Sequence, residues 1–313
     1  MTRIAVLLLA AVTGAALAQP RGPVTSHVVV VDRDGRDERV VFSSPRLFEA
    51  PNWSPDGKYL LLNSEGRLWR LPLAGGPPEA LNTGAVKGIN NDHGISSDGR
   101  WLAISAGQIY ILPSSGGAPR QVTAKTPSYF HGWSPDGKTL AYCAQRDGNF
   151  DLYSIPVDGG EEVRLTNSPG YDDGPDYSPD GRWIWFNSDR SGSWDIWRIP
   201  ASGAGPGDVH ARRITTDDYE DWFPHPSPDG KSVLFLSFEK GTKGHPPNRD
   251  VVLRLMSARG GAARVIAQLF GGQGTLNVNS WSPDSRRFAY VRYEPRPTGW
   301  LADAPSRMLS ARK

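Results

Sequence analysis

Apolar residues recur along this chain in short runs of five to eight, each bounded by glycine-rich or Pro-Asp-containing turns. Residues 138–144, 150–157, 182–187 and 194–199 are representative; some runs alternate apolar with polar positions and others are apolar nearly throughout. Such runs predict β-strands, and the turns between them predict antiparallel sheets.

The turns repeat. Trp53-Ser-Pro-Asp-Gly57 returns as Ile95-Ser-Ser-Asp-Gly99, Trp133-Ser-Pro-Asp-Gly137, Tyr177-Ser-Pro-Asp-Gly181, Pro226-Ser-Pro-Asp-Gly230 and Trp281-Ser-Pro-Asp-Ser285. Proline presets φ, aspartate bonds back to the backbone, and glycine takes the left-handed position. Around the third copy, Trp133-Ser ends a first strand, and 138–144, 150–157 and 161–166 follow as three more. Four strands per repeat, at intervals of 38 to 55 residues, predict an all-β propeller of four-stranded blades.

The two ends of the chain complete one another. After Trp281-Ser-Pro-Asp-Ser285 and residues 286–293, the sixth repeat has no third or fourth strand. Residues 27–32, the turn 33–36 and residues 38–42 supply that pattern at the front. Six blades over residues 26–293, the last closed by N-terminal strands, remove exposed sheet edges and make one domain.

Residues 1–18 read as a signal peptide: Arg3, the apolar run 4–12, and a small-x-small cleavage site ending at Ala18. Residues 19–25 form an N-terminal segment, and 294–313 read as a flexible C-terminal tail. The mature protein is expected in the periplasm or outside the cell, as a monomer with no membrane span. The lone Cys143, in an apolar run, is expected to be buried and inert. Thirty-five Gly and twenty-seven Pro fit a turn-rich β-protein, and eleven Trp supply flat groups for packing sheet on sheet. A net charge of +2 with dispersed Lys and Arg leaves no nucleic-acid footprint.

Blade topology puts the Pro-Asp-Gly turns on one face and the inter-blade loops on the other. The irregular polar segments 86–94, 171–176, 239–248 and 270–279 fall on the inter-blade-loop face, where function is expected. Residues expected at the channel mouth are Glu49, Asn52, Asn91, Asp92, His93, His131, Asp172, Asp173, Asp176, Asp221, His225, His245, Asn277 and Asn279. Trp222 is expected as an exposed stacking surface for a ligand. Three of the six histidines precede a repeat turn by three residues or fewer, which makes His93, His131 and His225 candidate ligands of a divalent metal such as Mn or Ca. No other cofactor is expected, and polar residues lining a watery channel are the plainer reading. Asp151 and Asp195 recur by repeat position and are expected to bond to loop amides within each blade. Segment 239–248, with His245 at its tip, is expected to fold over the mouth toward His225 as a partial lid.

The succession aromatic-Ser-Pro-Asp-Gly-Lys, Ser-Asp-Arg-x-Gly-x-x-Asp-Ile-aromatic, Gly-Gly and Arg-Leu-Thr resembles the propeller of the TolB-like periplasmic proteins over nearly all of residues 26–293. TolB itself carries an α/β domain ahead of its propeller that contacts an inner-membrane partner, and nothing in this sequence matches that domain. Dipeptidyl-peptidase-type enzymes carry similar repeats beside an α/β-hydrolase domain, but Gly-x-Ser-x-Gly is absent here. The resemblance implies a non-enzymatic binding or scaffold protein for a protein, peptide or glycan. Oligogalacturonate lyases, related propellers that hold manganese with channel histidines, keep open the alternative of a metal-assisted lyase or hydrolase.

Overall fold

The computed structural model describes residues 23–296; the expected leader and nearly all of the expected tail lie outside the described residues. Within them, 23 strands form six antiparallel sheets arranged as six blades. The third blade, for example, runs outward from the axis through Ser128–Trp133, Thr139–Arg146, Asn149–Pro156 and Val163–Arg164. In blades one to four the outermost strand is only two residues long, whereas Arg264–Gly271 in the fifth has eight.

The sixth blade closes the ring as the sequence requires. Val24–Asp32 pairs along its full length with Arg287–Pro295, from Val24 opposite Pro295 to Asp32 opposite Arg287, and Arg39–Ser44 lies outside it. The first of these strands starts three residues before the expected bound, and the other two start one residue later and end two residues later than expected. The innermost strand of this blade shrinks to one bridge, Trp281 to Phe288, because the chain before it is spent on side-chain bonds across the channel.

Each repeat turn is satisfied internally. Ser54 Oγ donates to Asp56 Oδ1 (2.7 Å) and accepts the Tyr59 amide (3.0 Å), while the Lys58 amide donates to the same carboxylate (3.1 Å). The serine–aspartate bond recurs at 2.6 Å in the five other copies. It holds Asp98 and Asp180 at about 2. Gly137 has φ +69°, and Ser285 takes the same left-handed turn at φ +60°, its hydroxyl accepting the Asp229 amide (2.9 Å).

Side chains also tie each blade to the next. Trp133 Nε1 donates to Gly94 O and Trp281 Nε1 to His225 O, both at 3.0 Å. Second-strand residues beside the channel bond to the neighbouring inner strand: Ser105 Oγ accepts the Phe130 amide (2.8 Å) and Asn187 Oδ1 the Phe223 amide (2.9 Å). Cys143, fully buried, donates its thiol to Asp172 O (3.2 Å), and burial pushes its pKa well up, so it stays an inert thiol. Asp151 and Asp195 correct the expectation of loop amides. They are buried carboxylates paired with Arg164 (2.5 Å) and Arg213 (2.8 Å) on the outermost strands.

His93, at the start of the inner strand His93–Ile95, is fully buried against the backbone of Leu61 and Ala50 in the first blade. Its place in the wall between two blades takes it out of the metal trio read from the sequence. Burial lowers its pKa to about 4.

Two outcomes follow from this architecture. Deleting residues 24–44 strips both outer strands from the sixth blade and exposes the fully buried Ala289 and Val291 of the strand left behind. Urea unfolding should then lose its single cooperative transition; a truncated chain unfolding as sharply and as late as the intact one would refute the closure. Because His93 titrates near 4 in the folded chain and near 6.5 when unfolded, the unfolded state binds more protons between those values. Its contribution is full above pH 6.5 and is lost as pH falls toward 4. Relative to wild type, His93→Gln should gain roughly 2 kcal/mol between pH 7 and pH 4.5 in urea titrations. A difference that does not vary with pH would refute the assignment.

Candidate functional site

The inner strands of blades one, four and five share a kink that shapes the channel. Ala50, Gly174 and Phe223 have φ of +54°, +62° and +53°, each is followed by proline, and each lies in a β-bulge that shifts register against the second strand. The kink turns Asn52, Asp176 and His225, each two residues before a repeat serine, toward one another deep in the channel. Asp176 Oδ2 lies 3.1 Å from His225 Nδ1 and accepts from Asn279 Nδ2 at 2.9 Å. Asn52 Nδ2 donates to Asn279 O (2.6 Å), and its Oδ1 accepts the Ile95 amide (2.9 Å). This tier spans blades one, two, four, five and six.

A second tier sits nearer the inter-blade loops. His131 Nε2 is 3.1 Å from Asp173 Oδ1 and 3.9 Å from Asp92 Oδ1. Asn277 Nδ2, reaching from the sixth blade past the first, donates to Asp92 Oδ1 (2.6 Å) and to Asn91 O (3.2 Å). The Gly174 amide donates to Asp173 Oδ1 (2.8 Å). Phe223 stacks on the His131 ring, with centroids 6.0 Å apart and an interplanar angle of 18°. Glu49 lies against Gly274, where a Cβ would fall 2.4 Å from its Oε1, so only glycine lets the 271–279 loop come so close.

Segment 239–248 covers this tier, as the sequence suggested, but it docks on Asp173 and not on His225. His245 Nε2 is 3.8 Å from Asp173 Oδ2, and its ring meets Trp222 edge-on at 4.5 Å and Phe223 at 5.3 Å. Pro246 and Pro247 press on Gly272, and the Gly241 amide donates to Glu220 (2.8 Å) at the base of the segment.

The electrostatics of the upper tier follow from burial of opposite charges. Burial disfavours the charged form of His131, but the hydrogen bond it donates to Asp173 and the charges of Asp92, Asp173 and Asp176 outweigh it and raise its pKa. Asp173 is likewise penalised by burial, yet His131 holds it below the usual carboxylate range. Asp92 is raised by burial, which its neighbours offset only in part. His245 is lowered, again chiefly by burial, with the charge of His131 adding to it. His131 and Asp173 therefore form the charged pair, and His245 is a neutral imidazole at neutral pH.

Structure and sequence part at four further residues. Trp222 is fully buried, packed on Trp194 with centroids 3.8 Å apart and capped by His245, so it is no exposed surface. Asp172 and Asp221 point into blades, paired with Arg190 (2.6 Å) and Arg254 (3.1 Å), and burial raises both to about 6. Asn91 lines the mouth through its carbonyl, its side-chain amide being buried without a hydrogen-bond partner. Phe223 went unnoticed in the sequence, although its repeat position matches Gly174 and Ala50. Among the described residues, no three His, Cys, Asp or Glu side chains are arranged to hold a metal ion.

Comparison with known proteins agrees with the architecture. The family model of the TolB beta propeller domain matches residues 126–268. An uncharacterised protein of Agrobacterium fabrum is 53% identical over 283 residues, covering 88% of this chain and 95% of that one. A solved structure of a TolB-type protein from Agrobacterium tumefaciens superposes with a TM-score of 0.84 at 53% identity, over 88% of this chain and all of the other. The Tol-Pal system protein TolB of Bordetella pertussis is 27% identical over 154 residues, 44% of this chain and 33% of its own length, so the chain spans a third of that relative. With six blades built on the Ser-Pro-Asp-Gly repeat and a relative matched over nearly its whole length, the chain belongs to the TolB-like β-propeller family.

Proposed function

We propose that this propeller is an exported binding protein that captures a protein or peptide partner on its inter-blade-loop face. The observation that carries the reading is the contrast between the two faces. On one, six turns bond within themselves and present a uniform rim. On the other, Asp92, His131, Asp173 and Asn277 from four different blades converge under a segment that belongs to one blade alone. Groups gathered at an axis from separate blades exceed what any single blade needs for its own stability. Polar atoms among and beside them, His131 Nδ1, Asn277 Oδ1 and the neighbouring Asn91 Nδ2, are buried without a hydrogen-bond partner, and such atoms favour a ligand or water that satisfies them.

Export rests on the signal-like residues 1–18; among the described residues no helix is long and apolar enough to cross a membrane. The name of the Bordetella relative, a Tol-Pal system protein, is consistent with a protein partner for this face. The metal-assisted lyase or hydrolase is the weaker reading, because among the described residues no three His, Cys, Asp or Glu side chains are arranged to hold a metal ion.

The test compares the two faces. Asp173→Lys should remove a partner captured from envelope extract by the wild-type chain, whereas Lys138→Ala, on the turn face, should retain it. Lys138→Ala should stay within about 0.5 kcal/mol of wild type. Asp173→Lys takes the buried partner from His131, so its folding is checked by circular dichroism, and the isosteric Asp173→Asn serves as the second mouth variant should lysine unfold the chain. Retention by Asp173→Lys together with loss in Lys138→Ala would place binding on the wrong face.

A further inference from the structure

The place where His245 docks has the composition of a cation site with a neutral side chain in it. One wall is aromatic, formed by Trp222 at 4.5 Å and Phe223 at 5.3 Å from the imidazole centroid. The other is the Asp173 carboxylate, whose Oδ2 is 3.8 Å from Nε2, too long for a hydrogen bond. An aromatic wall facing a carboxylate is the arrangement that recognises organic cations. Trp222 Nε1 and His131 Nδ1, both in buried side chains, find no hydrogen-bond partner here, so the surroundings of the imidazole are incompletely satisfied.

Charge makes the occupant a poor match. Asp173 already shares His131 with Asp92. His245 is held neutral by burial and by His131 next to it, so it adds no positive charge where the carboxylates would accept one. A guanidinium stays charged at any ordinary pH, is planar like the imidazole, and carries several donors for carboxylate oxygens. The occupant is also removable. His245 keeps part of its surface in solvent, and its segment is rich in glycine and proline, including Gly241 and Gly244 at φ +83° and +63°. Its anchors near the base are an exposed ion pair, Lys240 to Asp218 (2.5 Å), and one amide bond to Glu220.

We propose that the position held by His245 is a recognition pocket for a guanidinium group, presented by an arginine of the bound partner, and that His245 is its displaceable internal occupant. The inference rests on partner capture at this face and names the chemistry captured. The incoming arginine lies on Trp222 and Phe223, pairs with Asp173, and pushes segment 239–248 outward. No covalent step is involved.

Chemical occupancy of the vacated pocket tests this in the full-length chain, with methylguanidinium chloride as the probe and sodium chloride at equal ionic strength as the control. In His245→Ala, about 10 mM probe should raise the melting temperature by roughly 2 °C or more, since ligand bound only to the folded state stabilises it. Wild type, with the pocket filled, should shift by less than half as much, and His245→Ala combined with Asp173→Asn should not shift. His245→Gln serves as a second opened variant if alanine compromises folding. Equal shifts in wild type and the opened variants, or a shift that survives Asp173→Asn, would overturn the proposal. So would no shift in either opened variant. The probe needs no partner, so these outcomes are read independently of capture by Asp173→Lys. A probe-induced shift in the opened variants without loss of capture in Asp173→Lys would leave a cation pocket that the partner does not use and would overturn the arginine assignment.

Discussion

Everything at the channel mouth depends on one antiparallel pairing, that of Val24–Asp32 with Arg287–Pro295. Five blades would stack without it, but their inner strands would fan out along an open arc. The pairing forces the first and sixth blades together, and so brings Asn279 within reach of Asn52 and Asp176, and Asn277 within reach of Asp92. It is supported by a continuous apolar contact: Val28, Val30, Ala289 and Val291 pack with Phe48, Trp53 and Leu62 of the first blade. Val29, Val31, Phe288 and Tyr290 face the fifth blade through Leu234, Leu236 and Leu253. Alternate side chains of the two closing strands therefore belong to different neighbours, which is how one ladder of hydrogen bonds welds three blades.

Closure has an electrostatic consequence. Side chains that would be solvated on an open sheet are buried at the axis, where an unpaired charge is costly. The chain meets that cost with mixed partners: Asp173 with His131, Asp176 with His225 and Asn279, and Asp92 with Asn277. These contacts cross between blades, so the mouth is a product of the ring and not of any repeat. Asp172 and Asp221 show the alternative, in which a carboxylate is turned into its own blade and neutralised there by Arg190 or Arg254.

That difference explains how much was legible beforehand. The blades could be read because everything that makes them is local: the Ser-Asp turn, the glycine at positive φ and the run of apolar residues fall within about forty residues of one another. Closure could be read because the missing half-blade at one end matched the surplus at the other. The face and most mouth residues followed from position relative to the repeat serine. Direction within the inner strands did not follow, since the bulges at Ala50, Gly174 and Phe223 break the alternation that would have assigned each side chain inward or outward. Hence Asp172 and Asp173, adjacent in sequence, were both read as mouth residues, though only Asp173 is one. The recurring proline after each left-handed residue was the available signal. His93 and Trp222 were misread for a related reason, because a residue at the start of an inner strand can sit in the wall between blades as easily as in the channel.

The segment 239–248 shows where local consistency gives way. In blades one to three the second and third strands are joined by turns of one or two residues, such as Glu65-Gly66 and Asp147-Gly148 with their left-handed residues, and in the fourth by six. The fifth blade spends ten residues there and brings a neutral histidine onto a carboxylate already paired elsewhere. Nothing in the stability of the blade calls for it, since the strands Ser232–Phe238 and Arg249–Ser257 pair without interruption below it. A long connection, a charge mismatch at its tip and unpartnered polar atoms beneath it all occur at one point of the molecule. Departures from local rules concentrated in that way are what supports the binding role proposed for this face.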